Sequence, residues 1–440
     1  MTVQQTRRAA GAVGQRYLLP VILVISLFFL WGLANNLNDV LIKHFKKAFI
    51  LSDFESGLVQ SAFYFGYFCF AMPASLFMKK FGYKAAVVLG LLLFGIGALM
   101  FVPAAYAHSY GFFLIALYVI ASGLSFLETS ANPLVIALGD EASAARRLTF
   151  AQSFNPLGSI TGVIAGSAFI LSGVELTPRQ TEQMSAGQLD TYFRSEALAV
   201  VGPYVVIGLF VLAWALLVTL TRFPSAVTQP DEGDDAGSLA QFGALFRIPS
   251  YMAGVVAQFF YVGAQVGIWS YLIRYAQVEL PGTPEKDAAA MLTWSLVLFL
   301  GGRFLGTLLM RWIDSRTLLA VFAVVDLLLC AIAAIVGGQV GLYALIATSL
   351  FMSIMFPTIF ALSLKGLGSL KKAASSILVM AIIGGAIITL IMGFLSDTAS
   401  IATAMFVPLA CFAIIAAFAL YTTRSGKTGP NHAATAREPS

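Results

Sequence analysis

Apolar stretches of about 20 residues recur along the chain with short polar turns between them, each long enough to cross about 30 Å of hydrocarbon as a helix. A strand reading fails, because residues 86–102, AVVLGLLLFGIGALMFV, are apolar on every side, where an outer-membrane barrel strand alternates over about 10 residues. The pattern predicts an all-α membrane protein with about twelve transmembrane helices. They start near residues 18, 53, 84, 110, 145, 198, 248, 287, 317, 340, 372 and 401, and their even spacing leaves no room for a soluble domain. The first apolar run continues past Trp31 without a small-residue cleavage site, so it is expected to remain as span 1.

Polar punctuation organises these spans. Between spans 6 and 7, RFPSAVTQPDEGDDAGSLAQF has the Pro, Gly, Ser and acidic content of a mobile linker. The expected organisation is a tail (1–17), a six-helix half (18–222), a linker (223–246), a second six-helix half (247–423) and a second tail (424–440). The halves echo each other: ANPLVIALG, followed by Arg146 and Arg147, has its counterpart 224 residues later in MFPTIFALSL, followed by Lys371 and Lys372. Each carries an alanine four residues after its proline. Two parallel-related halves of this kind form a pseudo-symmetric pair.

Composition agrees: 59% of the 440 residues are hydrophobic and only 11% charged, against roughly 25% charged in soluble domains. Lys and Arg sort by side. Of the 26, 18 lie in the tails and one set of loops, seven in the other set, and Arg303 lies within a span. By the positive-inside rule both termini are cytoplasmic; the net charge of +5 reflects topology and not nucleic-acid binding. Cys69, Cys330 and Cys411 fall inside spans, which suggests neither a disulfide framework nor a thiolate metal site. His44, His108 and His432 fall in loops or the tail, which leaves carboxylates as proton carriers.

Four charged residues remain inside spans: Asp39, Glu128, Arg303 and Asp326. Each costs about 2.5 to 3.5 kcal/mol at a helix centre on insertion scales, so each is expected to face a cavity or a partner. Glu128 lies too deep for its short side chain to reach the headgroups, and shares one face of span 4 with Ala121, Ser125 and Asn132. Pro133 loosens the helix beside it. The competing reading is a carboxylate fixed in a static packing network. In span 1, WGLANNLND puts Trp31, Asn35, Asn38 and Asp39 on one face with Asn36 alongside. Such a surface suits a sugar, whose hydroxyls take bidentate amides and whose ring face packs on an indole; Asp39 paired with Lys43 is the alternative.

Span 5 adds Gln152, Asn155 and Ser159, and span 7 adds Gln258, Tyr261, Gln265 and Trp269 at helical spacing. Amides also join helices to one another. Arg303, in GGRFLG, is assigned a structural or gating role, snorkelling or capping carbonyls. Asp326 is expected to pair with a neighbouring helix. No nucleophile elbow, glycine-rich loop or clustered catalytic set is present, which points away from an enzyme.

From about Phe28 to Asp397 the chain resembles the fucose permease branch of the major facilitator superfamily, sugar:proton symporters. The resemblance is carried by NNLNDVLIKHF, FLETSANPLV, AQSFN, AQFFYVGAQVGIWSYLIRYA, FMSIMFPTIF and VMAIIGGAIITLIMGFLSD. It implies the major facilitator fold and proton-coupled uptake of a monosaccharide, L-fucose or a close stereoisomer. By that resemblance Glu128 matches the glutamate that takes up the proton and contacts sugar, and Asp39 the aspartate tied to coupling and gating. Gln152 and Asn155 match sugar-contacting amides, and Trp31 and Asn36 match cavity positions. Lys79 stands where the wider superfamily usually has an aspartate, and Pro156 is a further departure. Similar glucose and galactose transporters often carry an uncharged residue where Glu128 stands, so its presence favours the fucose-like subset. The alternatives are a glucose/galactose transporter, coupled to protons or sodium or facilitative, and a nontransporting sugar receptor. The expected partners are a monosaccharide, a proton and the lipid bilayer of a bacterial inner membrane, with no cofactor beyond the co-transported proton, no metal, no nucleic acid and no required protein partner.

Overall fold

Helices run wherever the apolar stretches run, and they break or bend where a proline or glycine withholds the next backbone bond. The computed structural model describes residues 18–49, 53–137, 140–169, 184–223 and 239–427, and the regular structure among them is entirely helical. In chain order the helices are α1 (Leu18–Ala48), α2 (Asp53–Leu99), α3 (Phe101–Tyr106), α4 (Tyr110–Ala137), α5 (Ala144–Gln152) and α6 (Phe154–Phe169). Next come α7 (Ala186–Ala199), α8 (Val201–Leu220), α9 (Leu239–Phe246), α10 (Pro249–Glu279), α11 (Glu285–Leu309) and α12 (Ser315–Ile335). The last are α13 (Gly338–Met352), α14 (Met355–Ser363), α15 (Lys371–Met380), α16 (Gly384–Thr398), α17 (Ile401–Ala404) and α18 (Phe406–Lys427).

Each of the twelve expected spans falls on helix. Among the described residues nine stretches are long and apolar enough to cross a membrane, and one of them, Ala62–Tyr106, carries both span 2 and span 3. Span 1 contains the shorter apolar run Ile22–Ala34, and span 5 is α5 plus α6. Inside α2, Gly82 adopts φ 81° and ψ 170°, where one span ends and the next begins; only glycine takes that conformation without strain. Span 5 breaks at Ser153 because Pro156, in the first turn of α6, has no N–H for the Gln152 carbonyl. Span 10 breaks between α13 and α14 in the same way, four residues before Pro357.

Contacts divide the described residues into two units. The first runs to Arg247 and also takes in Gly366–Ile383; the second holds Ile248–Lys365 and the residues from Gly384 onward. In the first, α4 packs along α2, α1 along α6, and α8 along α2. Small residues permit the approach: a Cβ on Gly123 would meet the Gly90 carbonyl, and one on Gly158 the Phe29 carbonyl. In the second, α10 packs on α16 and α18, α12 on α13 and α18, and α11 on α13, with Gly384 closing onto the Phe259 carbonyl. Span 1 thus pairs with span 5, and span 7 pairs with span 11.

Leu220, Ile335 and Leu390 each leave more than 70% of their surface uncovered. That is the ordinary state of a side chain whose solvent is hydrocarbon.

Several basic residues counted as loop charges are built into the first unit. Lys79 is buried, donates from Nζ to Gln241 and stands 5.7 Å from the Phe242 ring. Gln241 and Phe242 belong to α9, so the end of the stretch expected as a mobile linker is a helix seated on a buried lysine; residues 224–238 lie outside the described set. Lys84 donates to the carbonyls of Thr219 and Thr221 at 2.8 and 2.9 Å, closing the end of α8. Arg147 closes α4, donating to the carbonyls of Ile136 and Asp140 at 2.7 Å.

Candidate functional site

In the first unit the site is built on α4. Its residues from Ile120 to Ile136 are buried on all sides, so the expected polar stripe is not one face against an apolar remainder. Within that run Glu128 is 2% exposed, and neither carboxylate oxygen has a hydrogen-bond partner among the described residues. The competing reading, a carboxylate held in a static hydrogen-bonded network, finds no hydrogen bond to Glu128 among the described residues. One turn on, the Asn132 Oδ1 accepts from the Gln152 Nε2 at 2.9 Å, joining α4 to α5 and leaving the Asn132 amide nitrogen without an acceptor.

Asn155, on α6, is half-buried with its amide nitrogen also unpartnered. Ser159 donates to the Asn155 carbonyl of its own helix at 3.1 Å and reaches the Gly32 carbonyl of α1 at 3.4 Å. Trp31, on α1, is half-buried against Phe28, with ring centroids 6.4 Å apart. Tyr67, on α2, was not singled out in the sequence, yet it is buried beside both Glu128 and Trp31. Its backbone carbonyl accepts from Ser125 at 3.0 Å, which fixes α2 against the polar turn of α4. No periodicity marks it, since its surroundings in sequence are uniformly aromatic. The side chains of Asn35, Asn36, Asn38 and Asp39 lie outside the described residues, although their backbone is part of α1.

The second unit presents a separate polar set. Gln258 and Tyr261, on α10, are fully buried; both ends of the Gln258 amide lack a hydrogen bond within the described set, while the Tyr261 hydroxyl meets the Arg303 side chain. Gln265 and Trp269, further along the same helix, are half-buried. Trp269 donates from its indole to Ser349 Oγ at 3.0 Å, and Ser349 is hydrogen-bonded to Ser295, so that face is already partly satisfied.

Arg303 is 4% exposed and therefore does not snorkel. Its Nε donates to the Ser353 carbonyl at 3.0 Å, with the guanidinium 4.7 Å from the Phe299 ring. That carbonyl is the one Pro357 cannot bond, and Gly302 lets α11 approach it, because a Cβ there would strike the Leu350 carbonyl. Asp326 departs from expectation. It is fully buried on α12, yet both carboxylate oxygens lack a hydrogen bond among the described residues, so it forms no direct pair with a neighbouring helix. Tyr261 stands in electrostatic reach of both Arg303 and Asp326.

Buried polar groups are normally hydrogen-bonded. In the first unit a carboxylate, Glu128, and the amide nitrogens of Asn132 and Asn155 stay incompletely paired among the described residues, groups that can bind a hydroxyl-rich solute, the carboxylate being also able to exchange a proton. An open pocket of about 570 Å³ lies elsewhere, between α10 and α16, around the Arg274–Asp397 ion pair.

A multi-pass helical fold of this kind, with its charged and amide side chains buried inside the spans, is that of a membrane transporter. The profile described as Major Facilitator Superfamily matches residues 23–381, and the chain belongs to that family. It is 48% identical over 417 residues to an L-fucose-proton symporter of Escherichia coli (strain K12), covering 93% of this chain and 94% of that one. It is 37% identical over 400 residues to a glucose/galactose transporter of Brucella abortus, covering 91% and 93%. The crystal structure of FucP, a Major Facilitator Superfamily transporter in the outward conformation, superposes with a TM-score of 0.86 at 47% identity, over 92% of this chain and 99% of that one.

Proposed function

We propose that the chain takes up a monosaccharide, L-fucose or a close stereoisomer, together with a proton, by alternating access. The observation that carries this reading is the Glu128 carboxylate, buried in mid-span with neither oxygen hydrogen-bonded, one turn from the Asn132–Gln152 amide pair. The naming of two relatives as L-fucose-proton symporters supports it.

Protonation removes a charge that a closed, dry cavity would otherwise bury at heavy cost, and it turns one carboxylate oxygen into a donor for a sugar hydroxyl. Sugar and proton then favour each other's binding, as linkage requires. Alternating access delivers both to the cytoplasm, where the higher pH draws the proton off. Trp31, Asn132, Gln152 and Asn155 contact the sugar on this reading; Gln258, Tyr261, Gln265 and Trp269 are assigned to sugar binding from their spacing along α10, and Asn35, Asn36 and Asp39 by resemblance. The protein resides in the inner membrane of a bacterium with both termini cytoplasmic, acts without cofactor, metal or obligatory protein partner, and makes or breaks no covalent bond in the sugar.

Glucose or galactose is the second reading, favoured by the name of the Brucella relative. Proteoliposomes with an acidic exterior and no sodium decide between them: labelled L-fucose should accumulate, with unlabelled glucose and galactose competing poorly. Accumulation that requires sodium, or that glucose abolishes first, would replace this reading with the second.

A further inference from the structure

Pro133 has no N–H, so the carbonyl of Thr129, four residues earlier and immediately after Glu128, loses the ordinary i+4 donor of α4. The donor it does have comes from far along the chain: Ser375 Oγ, on α15, donates to the Thr129 carbonyl at 3.0 Å, with both residues fully buried. The same hydroxyl lies 2.8 Å from the Lys372 carbonyl of its own helix, so one proton faces two acceptors. The two ends of this bond are unequal. Without it Ser375 still has Lys372, whereas the Thr129 carbonyl has already lost its i+4 donor to Pro133.

Helix α15 belongs to Gly366–Ile383, the late segment that counts with the first unit. It packs on α2 and α4 through Ala373, Ala374, Leu378 and Val379, which are fully buried, and polar contacts hold its outer end. The Gly366 N–H donates to Glu141 Oε1 at 3.1 Å, Lys371 Nζ stands 3.7 Å from that oxygen, and Lys372 Nζ stands 5.1 Å from the Tyr83 ring. Glu141 is exposed, and solvent screens its ion pair. The buried hydroxyl bond is the direct link between this segment and the turn that carries Glu128.

We propose that Ser375 is a positioning residue for Glu128. While α15 is seated, its hydroxyl completes the proline-broken turn of α4 beneath the carboxylate; when α15 leaves, the hydroxyl turns back to Lys372 and the turn loosens. Seating of the segment and occupancy of Glu128 by a proton are then coupled, each biasing the other. The inference rests on Glu128 being the proton carrier.

The test is a double-mutant cycle between Ser375→Ala and Pro133→Ala, the latter restoring an N–H to the Thr129 carbonyl. In proteoliposomes Ser375→Ala should lower pH-driven sugar accumulation about tenfold while leaving counterflow exchange within about twofold, the scale of one buried acceptor left unpaired. In the Pro133→Ala background the same substitution should have no effect. Ser375→Thr, which keeps the hydroxyl, should restore accumulation, and it supplies the comparison if Pro133→Ala does not yield folded protein. Equal losses in both backgrounds, no loss in either, or a parallel loss of counterflow would overturn the proposal. Amide hydrogen exchange across residues 129–134, measured without sugar, gives a readout independent of transport: protection should fall in Ser375→Ala and return in the double variant. Unchanged protection in Ser375→Ala overturns the positioning role, whereas pH-driven accumulation by Glu128→Gln overturns the assignment of Glu128 instead.

Discussion

Pro133 and Pro357 stand 224 residues apart and injure their helices identically, each stripping one carbonyl of its donor in the middle of a span. The repairs differ. In the first unit a neutral hydroxyl, Ser375, reaches the Thr129 carbonyl; in the second a guanidinium, Arg303, reaches the Ser353 carbonyl and lies over Phe299 as well. A hydroxyl bond exchanges readily for another of the same kind, while a buried cation holds its place and demands compensation. Each unit also carries a buried carboxylate with no hydrogen-bond partner among the described residues, Glu128 in the first and Asp326 in the second. In the unit with the heavy repair, Tyr261 stands near both a cation and a carboxylate. One proline position thus serves a responsive turn in the first unit and a fixed one in the second.

The sharpest way to break this contrast is Glu128→Gln. Proton-driven accumulation should fall by at least about 100-fold, with sugar exchange between equal pools retained, since only the interaction that changes with protonation is lost; pH-jump uptake into vesicles measures it. Arg303→Met comes next. It leaves the buried Ser353 carbonyl without its donor and removes the cation beside Tyr261 and Phe299, a loss of about 1 to 3 kcal/mol of stability, visible as a lowered Tm in detergent. Pro357→Ala in the same protein should recover the part due to the carbonyl.

Asn132→Ala should cost about 1 to 3 kcal/mol by leaving the Gln152 donor unmatched, read as a raised KM for counterflow. The mildest is Arg274→Met. Its partner Asp397 stands 2.8 Å away, but the two side chains are 51% and 67% exposed, so breaking the pair should change stability by at most about 1 kcal/mol, and less in high salt.

The twelve spans were legible because apolar length alone decides what crosses hydrocarbon, and the paired prolines were visible as a repeat. Glu128, Asn132, Gln152 and Tyr261 were legible because polar atoms in such spans are costly and therefore few. What repairs each proline was not, since the donors lie 246 and 50 residues from their acceptors in sequence and nothing in the local pattern around Ser375 or Arg303 names an acceptor. The seat of α9 on Lys79 escaped for a related reason. A lysine at a helix end reads as a topological signal, and only tertiary contact shows it buried under Gln241 and Phe242. Asp326 shows the opposite failure: a partner was expected on grounds of cost, and the compensation present acts through Tyr261 at a distance.

Leu220, Ile335 and Leu390, each more than 70% uncovered, make the surrounding lipid the last layer of the fold. The span of acyl chains that best matches this girdle becomes a structural parameter like any side chain. Vesicles of shorter or longer lipids strain every helix by a fraction of a kcal/mol per Å of mismatch.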